Sequence, residues 1–367
     1  MTVSPAPTLL LRCDARVATG AGHVMRSLAL AQAWCDAGGR VVHLGALELP
    51  AVRARLEKEE IFLADSPAET ATPADLDRTR GVACEQGASW VVLDGYRFTG
   101  AFQRSVAEAV PHLLMIDDFG TIGDYGASVI LDPNFGASEE YYPRRSAHTR
   151  LLLGASFALL RREFVRWRDW TRSTPPVARK ILVTLGGSDP DYATEKVIAA
   201  LSRIAGGERE VKIVASASSR HRAALEKSVA ACGPAFQLLF DVSNLDEWFA
   251  WADLAITAGG LSSWERSLLG LPGLILLLAE NQRLGAEASH AAGAARNLGW
   301  FDQVDEQDLA AAIQQAIGDH AWRAEAAIAN RRLVDGRGAE RVVAALLDSL
   351  SLSPENLHPP GPFQSTK

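Results

Sequence analysis

Short apolar runs that end in glycine, aspartate or proline alternate with longer alanine- and leucine-rich stretches along most of the chain. Runs of continuous apolar character, without the every-second-residue alternation of a half-exposed strand, predict strands buried on both faces of a parallel sheet. In the first half they are Leu9–Cys13, Val41–Leu44, Trp90–Leu93, Leu113–Ile116 and Val129–Leu131. Helical patterns lie between them at Val24–Ala37, Ala51–Glu59, around Thr79–Gly87 and at Phe102–Val110. This is the sequence form of repeated β-α units, so a doubly wound α/β domain is expected.

The stretch "RSTPPVARK", Arg172–Lys180, interrupts the rhythm with two prolines in a polar setting, and a residue before proline is pushed away from helix. Beyond it the alternation restarts with Ile181–Thr184, Val211–Ala215, Gln237–Phe240, Leu254–Thr257 and Leu274–Leu278. The fold class expected is therefore α/β, with two Rossmann-like domains facing a cleft, residues 9–171 and residues 178–348. The proline-rich stretch 349–367 has little apolar content and no period, and disorder is the expectation there. Open α/β sheets bind ligands outside the carboxyl ends of their strands, which directs attention to the residues placed there.

Composition narrows the classes. With 367 residues, 48% apolar and 22% charged, the chain suits two folded domains. A net charge of −7 and the lack of a basic stripe argue against a nucleic-acid binder, which needs clustered cations. Cys13, Cys35, Cys84 and Cys232 are widely spaced and form no CxxC pair, so reduced thiols are expected rather than zinc ligands or disulfides. No run is long enough to span a bilayer and "MTVSPAPT" is not a signal peptide, so membrane insertion is not expected and a cytoplasmic location is.

The segment "ATGAGHVMRSLALAQAW", residues 18–34, combines a glycine turn, including Gly20 and Gly22, with a histidine at the mouth of a helix. A glycine turn alone serves a phosphate through bare N–H groups. It does not require His23, whose ring can reach a bound anion or a water from this position, a setting for general-base chemistry. The other histidines lack such a setting and default to surface or packing roles. In the second half "TLGGSDP" brings Gly186, Gly187 and Ser188 to a strand end, and "ITAGGLSSWERSLLGLP" repeats the design with Gly259, Gly260 and Ser262. Such turns can hold a diphosphate at an electropositive helix terminus. Glu265 stands three residues after Ser262, a spacing that fits either a local capping box or a carboxylate accepting hydrogen bonds from a ribose diol. Strand-end polar residues Asp94 and Tyr96, Asp117 and Asp118, Asn134, and Asn281 with Gln282 could bind sugar hydroxyls or simply line solvated loops. The Asp117–Asp118 pair invites a metal reading, but no matching ligand cluster accompanies it, and no metal is expected.

Several blocks carry a family resemblance: "RCDARVATGAGHVMRSLALAQAW", "LLLGASFALLRREF", "VTLGGSDP", "TAGGLSSWERSLLGLP", "LAENQ" and "VDGRGAERV". In this order, from about Leu9 to about Leu347, they resemble the UDP-2,4-diacetamido-2,4,6-trideoxy-β-L-altropyranose hydrolases of pseudaminic acid biosynthesis. That family is similar in fold to the lipid-II-forming N-acetylglucosaminyltransferase, the two-domain B-type glycosyltransferase (GT-B) architecture. The resemblance implies a metal-independent enzyme, without cofactor, that removes UDP from a nucleotide-linked amino sugar with inversion at the anomeric carbon. It implies that His23 handles the attacking water, with Gly22 beside it. It further implies that Gly186, Gly187, Ser188, Gly259, Gly260, Ser262 and Glu265 contact UDP, and that Gly22, Asp94, Tyr96, Asn134, Asn281 and Gln282 lie on the sugar side. Gly95 departs from the pattern, because many members carry histidine between the aspartate and the tyrosine. The "DDF…LDPNFGASEEYY" block also diverges, which bears on the identity of the sugar more than on the reaction.

Two rival functions share these motifs. In a glycosyltransferase of the same architecture His23 would deprotonate an acceptor hydroxyl, and a lipid acceptor would call for a membrane-facing patch, for which Leu47, Leu49, Val52, Arg53 and Arg55 are a weak candidate. A nucleotide-sugar binding protein would keep the UDP loops and lack turnover. A nicotinamide dehydrogenase fits poorly, since "GAGHVM" lacks the third glycine of the dinucleotide fingerprint. A small-molecule nucleotide sugar is the expected partner; the sequence does not fix the oligomeric state.

Overall fold

The computed structural model describes residues 6–66, 68–186, 192–204, 208–217 and 219–351. The first sheet is built from β1 (Thr8–Cys13), β2 (Arg40–Gly45), β3 (Phe62–Asp65), β4 (Ala88–Asp94), β5 (Leu113–Ile116), β6 (Val129–Asp132) and β7 (Arg150–Leu153). Their order is β3-β2-β1-β4-β5-β6-β7, with every pairing parallel. The second sheet contains β8 (Lys180–Thr184), β9 (Glu210–Ala215), β10 (Phe236–Phe240), β11 (Leu254–Ala258), β12 (Gly273–Leu277) and β13 (Ala295–Trp300), in the order β10-β9-β8-β11-β12-β13 and again all parallel. Strand order reverses between β1 and β4 in one sheet and between β8 and β11 in the other. At such a switch point the flanking loops diverge and leave a crevice at the carboxyl ends of the strands.

Helices cover both sheets. In the first half they are α1 (Gly22–Asp36), α2 (Pro50–Lys58), α3 (Pro73–Glu85), α4 (Gly100–Ala107) and the single turn α5 (Arg162–Val165). In the second they are α6 (Ala193–Arg203), α7 (Arg222–Ala231), α8 (Leu245–Trp251), α9 (Ser262–Leu268), α10 (Arg283–Ala291), α11 (Glu306–Gly318), α12 (His320–Leu333) and α13 (Gly338–Ser351). Local chemistry starts several of them: Pro50 and Pro73 open α2 and α3, and Thr72, Thr99 and Asp305 accept a backbone N–H at the mouths of α3, α4 and α11. The central apolar strands are buried on both faces as the pattern predicts, whereas the edge strand β10 is only half-buried, with Gln237 exposed. Leu9 and Leu11 face one core and Leu10 the other, while Ile181 and Val183 oppose Leu182 in the second sheet.

The short edge strands β3 and β7, together with β13, escape the sequence pattern. Phe62 in β3 is 54% exposed, and β13 mixes Arg296 and Asn297 with apolar residues, so neither run has the continuous apolar signal of a central strand.

The chain crosses between the lobes twice. On the outward crossing, Arg55 donates to Glu163 at 2.8 Å and Arg162 to Asp36 at 2.7 Å, tying α5 to the first lobe. A few residues later Arg166 and Trp167 donate to Asp246 of α8, and Arg172 donates to the carbonyls of Phe249, Ala250 and Ala252 at its C-terminal end. On the return, α13 packs on α1 with Val342, Val343 and Leu346 inside the first core, and Trp90 donates its indole N–H to the Leu346 carbonyl at 3.2 Å. The range 178–348 assigned from sequence to the second unit thus ends in a helix whose apolar face belongs to the first lobe's core.

Candidate functional site

Both switch points carry chemically capable side chains. In the first lobe the turn after β1 delivers His23 at the second position of α1, and β4 ends at Asp94 alongside it. His23 Nδ1 lies 2.7 Å from Asp94 Oδ1. Asp94 also accepts from Arg26 Nη2 at 2.7 Å, from Arg26 Nε at 2.9 Å and from the Ser27 hydroxyl at 3.0 Å. Residues 23, 26 and 27 are one helical turn apart, so α1 presents all three donors to one carboxylate. Burial by itself would raise the Asp94 carboxyl, but the Arg26 charge, followed by His23, holds it well below the usual carboxylate range. A permanent anion on Nδ1 keeps the ring proton there and leaves Nε2 as the nitrogen that can accept a proton.

A second layer continues from Arg26. Its Nη1 donates to Asp118 Oδ1 at 2.8 Å, and Asp118 also accepts from the Tyr96 hydroxyl at 2.6 Å and from Asn134 Nδ2 at 2.7 Å. Burial pushes Asp118 upward and the Arg26 charge overcomes it, so the carboxylate stays ionised. Asn134 also bridges to Asp132, whose carboxyl burial and the neighbouring Asp118 charge push up to about 6. Asp117 accepts from Tyr125. Its neighbour Asp118 is committed to cationic and neutral donors, and among the described residues no group of three or more His, Cys, Asp and Glu is arranged to hold a metal ion. The edge of the Tyr96 ring stands against His23, with centroids 5.0 Å apart.

The turn between β1 and α1 is itself braced. Arg12, fully buried in β1, donates to Asp75 at 2.8 and 2.9 Å and to Asp14 at 2.8 Å. Asp14 in turn accepts the Ala46 N–H and the Thr70 hydroxyl. A Cβ added at Gly22 would meet nothing within 4 Å, so the mouth of α1 is open on that side.

In the second lobe, Gly186 follows β8, and Gly259 and Gly260 follow β11, at the ends of two paired strands. Gly186 has φ +91°, a conformation that favours glycine, and neither it nor Gly260 has a neighbour where a Cβ would stand. Gly187 and Ser188 lie outside the described residues. Ser262 opens α9, yet no side chain caps this helix, so the capping box suggested by the Ser262–Glu265 spacing is not formed. Glu265 instead pairs across the lobe boundary with Arg161 at 2.6 Å, both side chains largely buried. Burial raises the Glu265 carboxyl and the Arg161 charge opposes it, with a net upward shift.

Asn281 and Gln282 separate in role. Gln282 Oε1 accepts the N–H groups of Leu278 and Gly259, at 3.0 and 3.3 Å, and so fixes the glycine turn. Asn281 reaches across the crevice to donate to the Tyr96 hydroxyl at 2.6 Å. Next to it, Gly285 of α10 faces the Phe119 ring and Gly136 faces Ala288, where an added Cβ would stand 3.7 and 3.0 Å away respectively. The sequence-predicted residues thus fall into a first-lobe group, Gly22, His23, Asp94, Tyr96 and Asn134, and a second-lobe group, Gly186, Gly259, Gly260, Ser262, Glu265, Asn281 and Gln282, joined through Asn281. Arg26, Ser27 and Arg161 were missed. The helical spacing of Arg26 and Ser27 from His23 was the available signal, whereas Arg161 meets Glu265 only in the folded chain.

The residues of the candidate membrane-facing patch are engaged within the protein, with Leu47 and Leu49 packed on the first core. Val52 is buried, Arg53 pairs with Asp65, and Arg55 pairs with Glu59 and Glu163. No helix among the described residues is long and apolar enough to cross a membrane.

No family model matches the chain. It is 30% identical over 203 residues to the spore coat polysaccharide biosynthesis protein SpsG of Bacillus subtilis, a match covering 55% of this chain and 59% of SpsG. The two curated relatives it matches are spanned to 59% and 41% of their own lengths. Among solved structures, MurG of Acinetobacter baumannii superposes with a TM-score of 0.65 at 17% identity, over 93% of this chain and 100% of that one. The UDP complex of Staphylococcus aureus MnaA gives 0.67 at 14% identity, over 95% and 98%. The architecture is GT-B. Two Rossmann-like lobes with facing switch points are the arrangement these structures share with it.

Proposed function

We propose that the protein is a metal-independent hydrolase that removes UDP from a UDP-linked diacetamido-trideoxy sugar with inversion at the anomeric carbon, on the route to a nonulosonic acid of the pseudaminic type. The observation that carries this reading is the His23–Asp94 pair, 2.7 Å apart, at the switch point that faces the glycine turns of the other lobe. UDP would rest on the second lobe. Its diphosphate would sit against the backbone of Gly186, Gly259, Gly260 and Ser262, and its ribose would lie beside Glu265. Oriented N–H groups in such turns stabilise the charge that develops on a departing diphosphate.

Asp94 fixes the Nδ1–H tautomer and offsets the charge the imidazole gains. Nε2 then accepts a proton from water as the oxygen attacks the anomeric carbon on the face opposite UDP, the C–O bond to the diphosphate breaks, and UDP leaves with the electron pair. A single displacement inverts the centre. Asn134 and Tyr96 stand where sugar hydroxyl or acetamido groups would meet the first lobe. The role of SpsG in making a spore coat polysaccharide and the UDP held by MnaA support a nucleotide-sugar substrate.

The MurG likeness keeps a transferase as the second reading. A panel of UDP-linked amino sugars incubated without acceptor, with products followed by mass spectrometry and the first-formed anomer by NMR, separates the possibilities. Release of free sugar with inverted configuration is expected. Turnover only after an acceptor is added would establish a transferase, and UDP-sugar binding without any turnover would establish a binding protein.

A further inference from the structure

Proton transfer by His23 requires a positioned imidazole and an anion on Nδ1, nothing more. The structure supplies a longer device. Asn281 of the second lobe donates to the Tyr96 hydroxyl at 2.6 Å, Tyr96 donates to Asp118 at 2.6 Å, Arg26 spans Asp118 and Asp94 at 2.8 and 2.7 Å, and Asp94 holds His23 at 2.7 Å. The direction of each bond is determined. A phenol has one proton, so a Tyr96 hydroxyl that accepts from Asn281 gives its own proton to Asp118. Arg26, Asp94 and Asp118 are almost fully buried, where a polar network is stable only if each member keeps its partners.

Tyr96 is the member of this network that meets the other lobe. It follows Gly95, whose φ of +156° suits glycine, on the loop leaving β4, and the residue is 41% exposed. Its neighbours in the crevice are the His23 ring, Asp118 and, from the other lobe, Asn281.

We propose that the Asn281–Tyr96 hydrogen bond is a latch that makes the setting of His23 depend on docking of the two lobes. Tyr96, Asp118 and Arg26 act as positioning residues. When the second lobe closes, Asn281 fixes the Tyr96 hydroxyl, Asp118 keeps its full set of donors, and Arg26 holds Asp94 in the plane that fixes the Nδ1–H tautomer. When the lobes part, Tyr96 is released, Asp118 draws more of Arg26, and the Asp94–His23 contact loosens. The general base is thereby completed at the moment the nucleotide sugar is enclosed. This rests on the reading of His23 as the base.

The test uses the full chain saturated with UDP and ¹⁵N-labelled at histidine, the His23 signals being assigned from their loss in His23→Asn. Wild type should show His23 as the Nδ1–H tautomer, and Asn281→Ala and Tyr96→Phe should each move its ring nitrogens toward a tautomer mixture. Unchanged His23 resonances in Asn281→Ala would overturn the latch. Turnover gives a second, independent arm. Each single variant should lose about tenfold in kcat, and the double variant should be no slower than the worse single one. Losses that multiply would overturn the coupling. His23→Asn with normal turnover would instead remove the base assignment, while the ring resonances would still decide whether the lobes communicate. Asn281 is an exposed side chain, so its replacement does not put folding at stake.

Discussion

Replacing Asp94 by asparagine preserves shape and removes one charge, and the consequences follow from the bond list. The carboxylate accepts from His23 Nδ1, from two nitrogens of Arg26 and from Ser27. An amide has one acceptor oxygen and one donating NH₂, so the NH₂ must face one of these donor sets. Facing His23, it forces Nδ1 to accept and moves the ring proton to Nε2, which can no longer take a proton from water. Facing His23 it also opposes Arg26 Nη2, and facing Ser27 it opposes Arg26 Nε, so in either orientation the buried guanidinium loses its two-pronged partner. Breaking a buried ion pair from one side costs about 3–5 kcal/mol. Arg26 retains Asp118 at 2.8 Å, which places Asp94→Asn at the lower end, about 3 kcal/mol. Loss of the tautomer lock should lower kcat by about 10²–10⁴. Urea unfolding reads the first effect, UDP release from the nucleotide sugar the second, and calorimetry with UDP alone the control. On the proposed reading, in which UDP rests on the other lobe, UDP affinity should stay within about threefold. Turnover of Asp94→Asn within about threefold of wild type would refute the claim that Asp94 orients the base.

Other consequences are open to simpler measurements. Arg161→Met leaves the buried Glu265 without its charge partner, so UDP binding should weaken and the residual binding should improve as pH rises and Glu265 ionises; calorimetry over a pH series checks this, and a pH-independent affinity would count against it. Gly259→Ala would drive a Cβ to 2.9 Å from the Gln282 Cβ, so UDP affinity should fall about tenfold with the melting temperature little changed. Burial and then the Arg12 charge push His43 down to about 4, below its unfolded value, so the unfolded chain binds the extra proton. Stability should therefore fall as pH drops from about 6.5 to 4, by up to about 3 kcal/mol, and His43→Leu should flatten that part of the urea-midpoint profile. Leu346→Ala, in α13 against the first sheet, should cost about 2–5 kcal/mol although it lies outside residues 9–171.

What could be read from sequence followed from how locally each feature is encoded. Central strands such as Leu113–Ile116 need apolar residues on both faces, and that demand is written in the run itself. Edge strands carry half the demand: Phe62 faces solvent, and β7 opens with an exposed arginine, so β3 and β7 leave little trace. The amphipathic pattern of α13 predicts a helix without naming its sheet, because an apolar stripe is satisfied by either lobe's core. At the site, His23 was visible because glycines isolate it, and Asn281 because it ends a strand block. Arg26 looked like any charged residue on a helix. Its significance comes from Asp94 and Asp118, brought to it by strands 68 and 92 residues further on. Glu265 illustrates the reverse, since its spacing fits a capping box that the folded chain does not form.

The central claim is that an imidazole of the first lobe directs water to the anomeric carbon while the second lobe holds UDP. Turnover in H₂¹⁸O with no acceptor tests it most directly. The account predicts free sugar of inverted configuration, UDP containing no ¹⁸O, and the same labelling pattern at a rate lowered by about 10²–10⁴ in His23→Asn. Label in a phosphate of the released nucleotide, or His23→Asn turning over as fast as wild type, would contradict it.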